Sequence, residues 1–461
     1  MKLLMPGTGI CQQVRKYIKP VLFFSIAILL SCSATAQKAW TLQECIEYAL
    51  KNNIQIKQSE LTAELSTVNF YQSKAAFFPS INANSNYTYN FGRSVNPYTN
   101  VYTNQEVQSM NISASGSLPI FNGFQIMNSL SQSKYEYMAS HENLAKIKND
   151  ISLNVAAAYL QVLYSKEALK AVDDRLNAAT QNRDRTKIMV DAGSMAQGNF
   201  LDAEAALAAE ELAKVNADNQ LITAIITITQ LLELKSTEDF DVAQPAVDIR
   251  DLSSLSISAD EIYNTALKTL PDFRASALNI QSAEKGLAIS RGARYPRLSL
   301  GGGLSTGYSN VATRFLTNEE ISFNDQLNEN YNKYLGLSLS IPIFNGWATE
   351  SSVKRAKINL ENVKYNDQLI RNQAYKSIVQ AHADAIAAQQ KYTASQKAAS
   401  SSNEAFVYAE KKYNVGMLSS IEFLNVRNTS SRAESDLIQA KYDFIFRLKV
   451  IDFYLGKSLA F

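Results

Sequence analysis

The sequence predicts a mainly α-helical chain that also carries four membrane-type β-strands and is built as a tandem duplication. Nine prolines occur in 461 residues, but none lies between Pro119 and Pro245 and none follows Pro342. Such long proline-free stretches, rich in Ala, Gln, Lys and Leu, favour very long helices. Before each of these stretches, after Pro79 and again after Pro296, the hydrophobic period changes from helical to alternating, so this order of features occurs twice.

The first 36 residues have the pattern of an export signal. Basic residues precede an apolar run over residues 21–30, and Ala34-Thr35-Ala36 offers a small-x-small cleavage site. The apolar run is too short to span a bilayer as a helix. The alternative is a lipoprotein signal in which Cys32 is lipidated. Either signal exports the chain. Cys11 and Cys32 lie in the presequence, which leaves Cys45 alone in the body of the chain, and a lone cysteine cannot form an intrachain disulfide.

The charge balance argues against one class of partner. The chain has 45 basic and 43 acidic residues, and four of the basic ones lie in the signal segment, which has no acidic residue. The mature chain is therefore close to neutral. A nucleic-acid-binding protein would need a basic face, so we expect no nucleic-acid partner.

Internal repetition is the most informative feature of the sequence. A shift of 217 residues places Ala49-Leu50-Lys51 on Ala266-Leu267-Lys268, and a shift of 223 residues places the Pro-Ile-Phe-Asn-Gly segment 119–123 on 342–346. We predict a signal peptide over 1–36 and a first repeat over 37–233, followed by a crossover over 234–258 and a second repeat over 259–461. The predicted elements of the first repeat are a hairpin 80–121, a long helix 124–190 and a helix 199–233; those of the second are a hairpin 297–343, a long helix 347–413 and a helix 422–455.

The hairpins have the pattern of outer-membrane strands. In the first strand apolar or aromatic odd positions, such as Ile81 and Tyr87, alternate with Asn and Thr, and the polar face carries no charge. Aromatic residues gather at both ends of the hairpins, as in membrane barrels: Phe78, Phe121, Tyr295, Phe344 and Trp347 at one end, and Tyr89, Phe91, Tyr308 and Tyr334 at the other. A soluble sandwich is the alternative, but four strands are too few for one.

Four strands are also too few to close a barrel, because the smallest single-chain barrels have about eight. Open strand edges in lipid would leave backbone groups unpaired, at a cost of several kcal/mol each. The sequence therefore predicts a barrel that is shared among several chains.

Each predicted long helix of about 67 residues would extend roughly 100 Å. Small and apolar residues recur in alternating steps of four and three, for example at Ile151, Val155, Ala158 and Val162, which is typical of coiled-coil packing. The two shorter helices of each repeat, placed end to end, match the length of the long one. We expect this arrangement to form the wall of a helical tube.

Taken together, these features resemble the TolC-like outer-membrane efflux and secretion factors. The resemblance rests on the opening segment 40–53, the two helix-proline-strand junctions, the repeated Pro-Ile-Phe-Asn-Gly and the turns at Gly193 and Gly416. It implies a homotrimer with a twelve-stranded barrel in the outer membrane and an α-helical barrel in the periplasm. It also implies a passive exit duct that works with a periplasmic adaptor and, through it, an inner-membrane pump, without a cofactor or metal.

The resemblance further implies that the helix tips meet the adaptor. The implied contact residues are Gly193, Gly416, Ser419 and Ser420. The alternative is that both glycines serve only the turn between antiparallel helices.

A constriction at the periplasmic end is also implied. The family carries two aspartates six and nine residues after the second tip glycine, where this chain has Glu422 and Asn425; the matching positions of the first repeat are Asn199 and Asp202. The family's closing tyrosine matches Tyr413, but its charged partners are replaced by Asn199 and Leu418, so we expect a neutral Tyr413–Asn199 contact. The alternative is that Glu422 and Asp202 are solvated first-turn acids favoured by the helix dipole.

Two other function classes were considered. An enzyme is disfavoured because the only histidines, His141 and His382, lack ligand-spaced companions, and no phosphate loop or nucleophile motif is present. A structural tether or adhesin without channel activity would have uninterrupted heptads and no paired membrane hairpins.

Overall fold

The computed structural model describes residues 39–95, 100–104, 106–237, 240–244, 253–314, 317 and 319–459. The predicted signal segment and part of the predicted crossover lie outside these residues. The described chain contains two copies of one order of elements, in which two helices lead into a pair of strands and a long helix with a returning helix follows.

The elements of the two copies have the following bounds. The first copy contains α1 (Leu42–Asn52), α2 (Ile54–Ala75), β1 (Ser80–Asn90), β2 (Ser94–Val95), β3 (Tyr102–Thr103), β4 (Val107–Asn122), α3 (Gln125–Asp191) and α4 (Gln197–Leu231). The second contains a 3-10 turn (Ser253–Ser256), α5 (Ala259–Thr269), α6 (Pro271–Gly292), β5 (Arg297–Ser309), α7 (Phe323–Glu329), β6 (Asn332–Ser340), α8 (Ala348–Asn414) and α9 (Ser420–Tyr454). Strand β6 ends three residues before the predicted end of its hairpin, and α7 lies in the connection between β5 and β6, where no helix was predicted.

The repeated Pro-Ile-Phe-Asn-Gly segment turns the chain from a strand into a long helix. Asn122 Oδ1 accepts a hydrogen bond from the backbone N–H of Ile126, and Asn345 Oδ1 accepts one from Thr349 in the second copy. The aromatic residue that follows the glycine, Phe124 or Trp347, has a positive φ of 62° or 65°. The asparagine therefore caps the first turn of each long helix after a left-handed bend.

Four strands form one antiparallel sheet in the order β1-β4-β5-β6. The register sets Ala114 opposite Leu304 on one face and Ser115 opposite Gly303 on the other. The sheet therefore has a largely apolar face, which carries Lys333 near one end, and a polar face that is uncharged apart from Arg297 at the start of β5. Among the residues that the structure describes, strands β1 and β6 each have one unpaired edge.

The register places one aromatic residue of the strands on the polar face. Tyr334 lies opposite Gly303, on the polar face, whereas Leu335 and Leu337 lie on the apolar face. A Cβ atom built on Gly303 would lie 2.6 Å from the Tyr334 ring, so the ring covers the glycine. Tyr334 therefore does not share the apolar face with Tyr89 and Tyr308, the strand aromatics at the same end, because side chains in a strand alternate between faces and Tyr334 is out of step with the leucines.

The short helices of each copy meet end to end beside the long helix. Asn53, which is 4% exposed, donates from Nδ2 to the carbonyl oxygen of Leu231 at the end of α4. Its Oδ1 accepts from the backbone N–H of Gln55 and so caps α2. One buried side chain thus joins the end of α4 to the start of α2.

The largest buried cluster lies at mid-height of α3. Tyr159 of α3 is 1% exposed and donates to the carbonyl oxygens of Trp40 and Ala243. The backbone of Trp40 also pairs with Asp241 and Ala243 of the crossover. These bonds hold the start of the chain and the described part of the crossover against the middle of the first long helix.

Within the described ranges, no helix has both the length and the apolar composition that crossing a membrane requires.

Candidate functional site at the helix tips

Two tight turns join the antiparallel helices at the end of the molecule opposite the sheet. The first tip (residues 192–196) joins α3 to α4, and the second tip (residues 415–419) joins α8 to α9. Gly193 and Gly416 have φ values of +70° and +76°, the left-handed region that favours glycine. In both tips the N–H after the glycine bonds the carbonyl five residues earlier, from Ser194 to Met189 and from Met417 to Lys412. These are Schellman turns, so turn chemistry accounts for both glycines.

Glu422 is part of a capping box at the start of α9. Its Oε2 accepts hydrogen bonds from the backbone N–H (3.1 Å) and Oγ (2.8 Å) of Ser419, and the Ser419 Oγ accepts from the N–H of Glu422. The bonds from Ser419 hold the pKa of the Glu422 carboxyl below its ordinary value. Ser419 therefore serves as a helix cap, for which the Ser-x-x-Glu spacing is the sequence signal.

Asp202 differs from Glu422 in its surroundings. It is the sixth residue of α4, beyond the first turn, and its side chain is exposed. Helix-dipole stabilisation falls off within the first turn. The interpretation as a solvated first-turn acid therefore fits Glu422 and does not fit Asp202.

Tyr413 belongs to an apolar cluster. Its ring lies 4.5 Å from the ring of Phe423 at an interplanar angle of 9°, and the residue is 8% exposed. Leu418, which replaces the family's charged residue, packs against the same cluster. Within the described chain no hydrogen bond joins Tyr413 to Asn199. The Tyr413 ring thus packs within the helical hairpin formed by α8 and α9, and the Tyr413–Asn199 contact stays a prediction.

Charged residues that the sequence did not single out link the two helical hairpins, α3–α4 and α8–α9, above the tips. Arg427 of α9 is 7% exposed and donates from Nη2 to the carbonyl oxygen of Arg175 on α3 at 3.0 Å. Glu210 of α4 lies 3.7 Å from Arg427 and 3.3 Å from Nε of Arg175. Burial, and then the nearby Arg175, lower the pKa of Arg427, while Glu210 opposes this shift. The sequence does contain a signal for this buried arginine: Arg427 lies four residues after Phe423 and therefore on the same, buried face of α9.

A cavity of about 330 Å³ lies between the same hairpins, nearer the tips. Across its mouth Arg185 Nη1 of α3 donates to Asn414 Oδ1 of α8 at 2.8 Å. The other lining residues include Asn182, Glu410, Tyr413 and Arg427. The first long helix and the second hairpin are therefore linked by polar contacts at two heights.

The sequence matches the model of a known family on both repeats. The model described as outer membrane efflux protein matches residues 45–233 and 262–457. The chain belongs to the outer membrane efflux protein family. Its members are transport proteins of the outer membrane, and this chain is an outer-membrane efflux channel. Its fold combines long α-helices with the strands of a β-barrel.

Curated relatives of this efflux family align over most of the chain. The chain is 23% identical over 422 residues to the outer membrane efflux protein BepC of Brucella suis, covering 91% of this chain and 86% of BepC. It is 23% identical over 462 residues to the outer membrane protein TolC of Escherichia coli, covering 95% of this chain and 87% of TolC.

Solved outer-membrane channels share the fold of this family member. The Campylobacter jejuni CmeC channel superimposes with a TM-score of 0.78 at 17% identity, covering 90% of this chain and 85% of that one. The open state of the Neisseria gonorrhoeae MtrE channel superimposes with a TM-score of 0.74 at 19% identity, covering 91% and 89%.

Proposed function

We propose that three copies of this chain form an exit duct that carries cargo from the periplasm through the outer membrane, in a tripartite efflux pump or a type I secretion system. The observation that carries the proposal is the sheet with two open edges, on β1 and β6. In lipid these edges must be paired, because each unsatisfied backbone group costs several kcal/mol. Three sheets of four strands complete a closed barrel of twelve.

The two faces of the sheet support this arrangement. The apolar face suits lipid, and the opposite face of Asn, Ser, Thr and Gly suits a water-filled lumen. Because that face is almost uncharged, we infer that the lumen of the β-barrel selects little between ions. We assign ion selectivity to the other end of the duct, at the helix tips.

We assign the periplasmic constriction to Glu422, Asp202, Asn425, Asn199 and Tyr413. Asp202 and Asn425 are exposed near the tips, where three copies would come together around one axis. Three Asp202 carboxylates in a narrow mouth would concentrate a negative potential. Tyr413 takes part through its apolar cluster.

We assign adaptor docking to the two tips, including Gly193, Gly416, Ser419 and Ser420; the inner-membrane pump is reached through the adaptor. Exposed apolar side chains surround these residues: Val415, Met417 and Ile421 at the second tip, and Ile188 and Leu201 at the first. Clustered exposed apolar residues are typical of protein-docking sites. Ser419 contributes by fixing the shape of the second tip.

Two measurements test the proposal. Native mass analysis of the detergent-solubilised protein should give a trimer, and the purified protein should conduct ions across a planar bilayer. A stable monomer in lipid would contradict the shared barrel. A trimer without conductance would favour the structural tether.

A further inference from the structure

Because the chain is duplicated, the contact between its two repeats indicates how neighbouring chains of the trimer meet. Within one chain, α3 of the first repeat packs along α6 of the second repeat. Adding 223 to residues of α3 gives α8, and subtracting 217 from residues of α6 gives α2. The equivalent contact therefore joins α8 of one chain to α2 of the next. This inference rests on the proposed trimer.

The internal contact between α3 and α6 is ionic. Lys146 Nζ lies 2.8 Å from Asp272, and Arg274 Nε lies 3.1 Å from Glu142. Farther along, Ser282 Oγ donates to Glu136 at 3.0 Å.

The equivalent positions carry different chemistry. Lys146 and Glu142 correspond to Leu369 and Tyr365 on α8. Asp272 and Arg274 correspond to Gln55 and Lys57 on α2. At the third position the Glu136–Ser282 pair corresponds to Asn359 and Leu65. None of the three acids in the internal contact has an acidic residue at the equivalent position of α8 or α2.

The two faces that this equivalence brings together are both apolar and both uncovered. The apolar residues of the α2 face are 53–65% exposed, and those of the α8 face are 52–69% exposed. The α2 face consists of Ile54, Leu61, Leu65 and Val68; the α8 face consists of Ile358, Tyr365 and Leu369. On the opposite side of α2, Ile56 and Ala63 are buried against α3. Through the duplication, the uncovered face of α2 corresponds to the face of α6 that meets α3, and the uncovered face of α8 corresponds to the face of α3 that meets α6.

We propose that neighbouring copies of this chain meet through an apolar contact between α2 and α8, in place of the ionic contact inside the chain. Lys57 then lies opposite Tyr365, where Arg274 pairs with Glu142 in the internal contact. A cation over a tyrosine ring is an attractive replacement for that ion pair. Salt therefore weakens the internal contact more than the contact between copies.

The same equivalence sets the register of β6 on β1 of the next chain. Inside the chain Ser115 lies opposite Gly303 and Ala114 opposite Leu304. The equivalent pairs are Ser338 with Asn86 and Leu337 with Tyr87. Polar residues thus meet on the polar face and apolar residues on the apolar face. A slip of one residue would destroy this match, since it moves every side chain to the other face.

The junction between strands and helices differs at the two contacts. Inside the chain, a Cβ on Gly123 would lie 2.2 Å from the carbonyl oxygen of Gly292, so the backbones touch there. The equivalent pair is Gly346 and Ala75, and no described atom of this chain lies within 4 Å of a Cβ built on Gly346. The Ala75 methyl group requires a wider approach.

Disulfide trapping tests the register. In the full-length protein in outer membranes, Asn86→Cys combined with Ser338→Cys should give covalent dimers and trimers on oxidation, because directly opposite strand residues have Cα atoms within disulfide range. The control pairs Asn82→Cys with Ser338→Cys, on the same face but about 13 Å away along the strand. Crosslinking by the control pair alone would overturn the register, as would a native trimer that neither pair crosslinks. A wild-type protein that forms no trimer would instead overturn the proposed function.

Trimer dissociation tests the chemistry of the helix contact. Leu65→Asn should lower the dissociation temperature in detergent, whereas Tyr71→Asn, on another face of α2 and equally exposed, should not. For the wild type this temperature should change little between about 0.1 M and about 1 M NaCl, which shortens the Debye length from about 10 Å to about 3 Å. Equal effects of the two substitutions, or salt-induced dissociation of the wild type, would overturn the apolar contact.

Discussion

Arg427 donates a hydrogen bond of 3.0 Å to the backbone carbonyl of Arg175, a residue 252 positions earlier in the chain. The bond joins the returning helix of the second copy to the long helix of the first. Glu210 lies between the two guanidinium groups, within 4 Å of both. The helical hairpins α3–α4 and α8–α9 are thus held together above the tips by the buried Arg427 and the partly buried Arg175, which both lie beside Glu210.

Glu210→Gln should loosen this link. The substitution removes the one carboxylate that, in the described chain, lies within 4 Å of the buried Arg427, and leaves Arg427 beside the partly buried Arg175. Breaking such a buried pair costs about 3 kcal/mol. Hydrogen exchange at the start of α9 should accelerate accordingly. As a control, Glu434→Gln removes a half-exposed acid 3.9 Å from Arg175 and should cost about 0.5 kcal/mol. Equal exchange in the two variants would show that Glu210 does not hold the hairpins together.

Tyr413 should act through its ring and not through its hydroxyl. Tyr413→Phe keeps the stack on Phe423 and should leave single-channel conductance unchanged. Tyr413→Ala removes the ring from a buried cluster, at a cost of about 3 kcal/mol, and should raise the conductance of the resting channel. A conductance increase in Tyr413→Phe would show that a hydroxyl hydrogen bond keeps the channel closed.

Cation selectivity should depend more on Asp202 than on Glu422. Both carboxylates contribute to the proposed constriction, but that of Glu422 is bonded back to Ser419. The reversal potential in a salt gradient should move towards zero in Asp202→Asn, less in Glu422→Gln, and most in the double variant. Block by multivalent cations should weaken in the same order. Unchanged selectivity in the double variant would place the constriction elsewhere.

The capping box makes the second tip sensitive to acid. Because the folded-state pKa of Glu422 lies below its ordinary value of 4.5, its stabilising contribution is present above about that pH and is lost as the pH falls through the lower folded value. In Ser419→Ala the pKa of Glu422 should return towards 4.5, as measured by carbon-13 NMR of labelled glutamate. A pKa that stays low in this variant would assign the shift to another group.

Gly416→Val should reduce export while the trimer and the sheet persist. A β-branched residue is strained at a φ of +76°, by roughly 1–2 kcal/mol, so the second tip should change shape. Export of a known cargo and native mass give the two readouts. Gly198→Val, at a helical glycine with no atom within 4 Å of a built Cβ, is the control. Normal export by Gly416→Val would show that the second tip is not the surface that docks the adaptor.

The sequence was sufficient for the fold class because its signals are local and repeated. The change of hydrophobic period after Pro79 and Pro296 distinguishes strand from helix, and the glycines at 193 and 416 mark the turns. The capping box at Ser419 and Glu422 is equally local, since it needs only the three-residue spacing. The place of Tyr334 on the polar face also follows from strand alternation.

The sequence by itself thus determined the two repeats, their helices and strands, and the open sheet that calls for further copies. Only the tertiary structure decided how the tips are held. Whether Arg427 meets an acid, a carbonyl or solvent depends on which residues of α3 and α4 lie beside it, more than 200 positions away. Likewise, only the packing of α8 against α9 shows that the ring of Tyr413 stacks on Phe423. Periodicity specifies which face of a helix is buried, but the partner on that face is set by packing between distant segments.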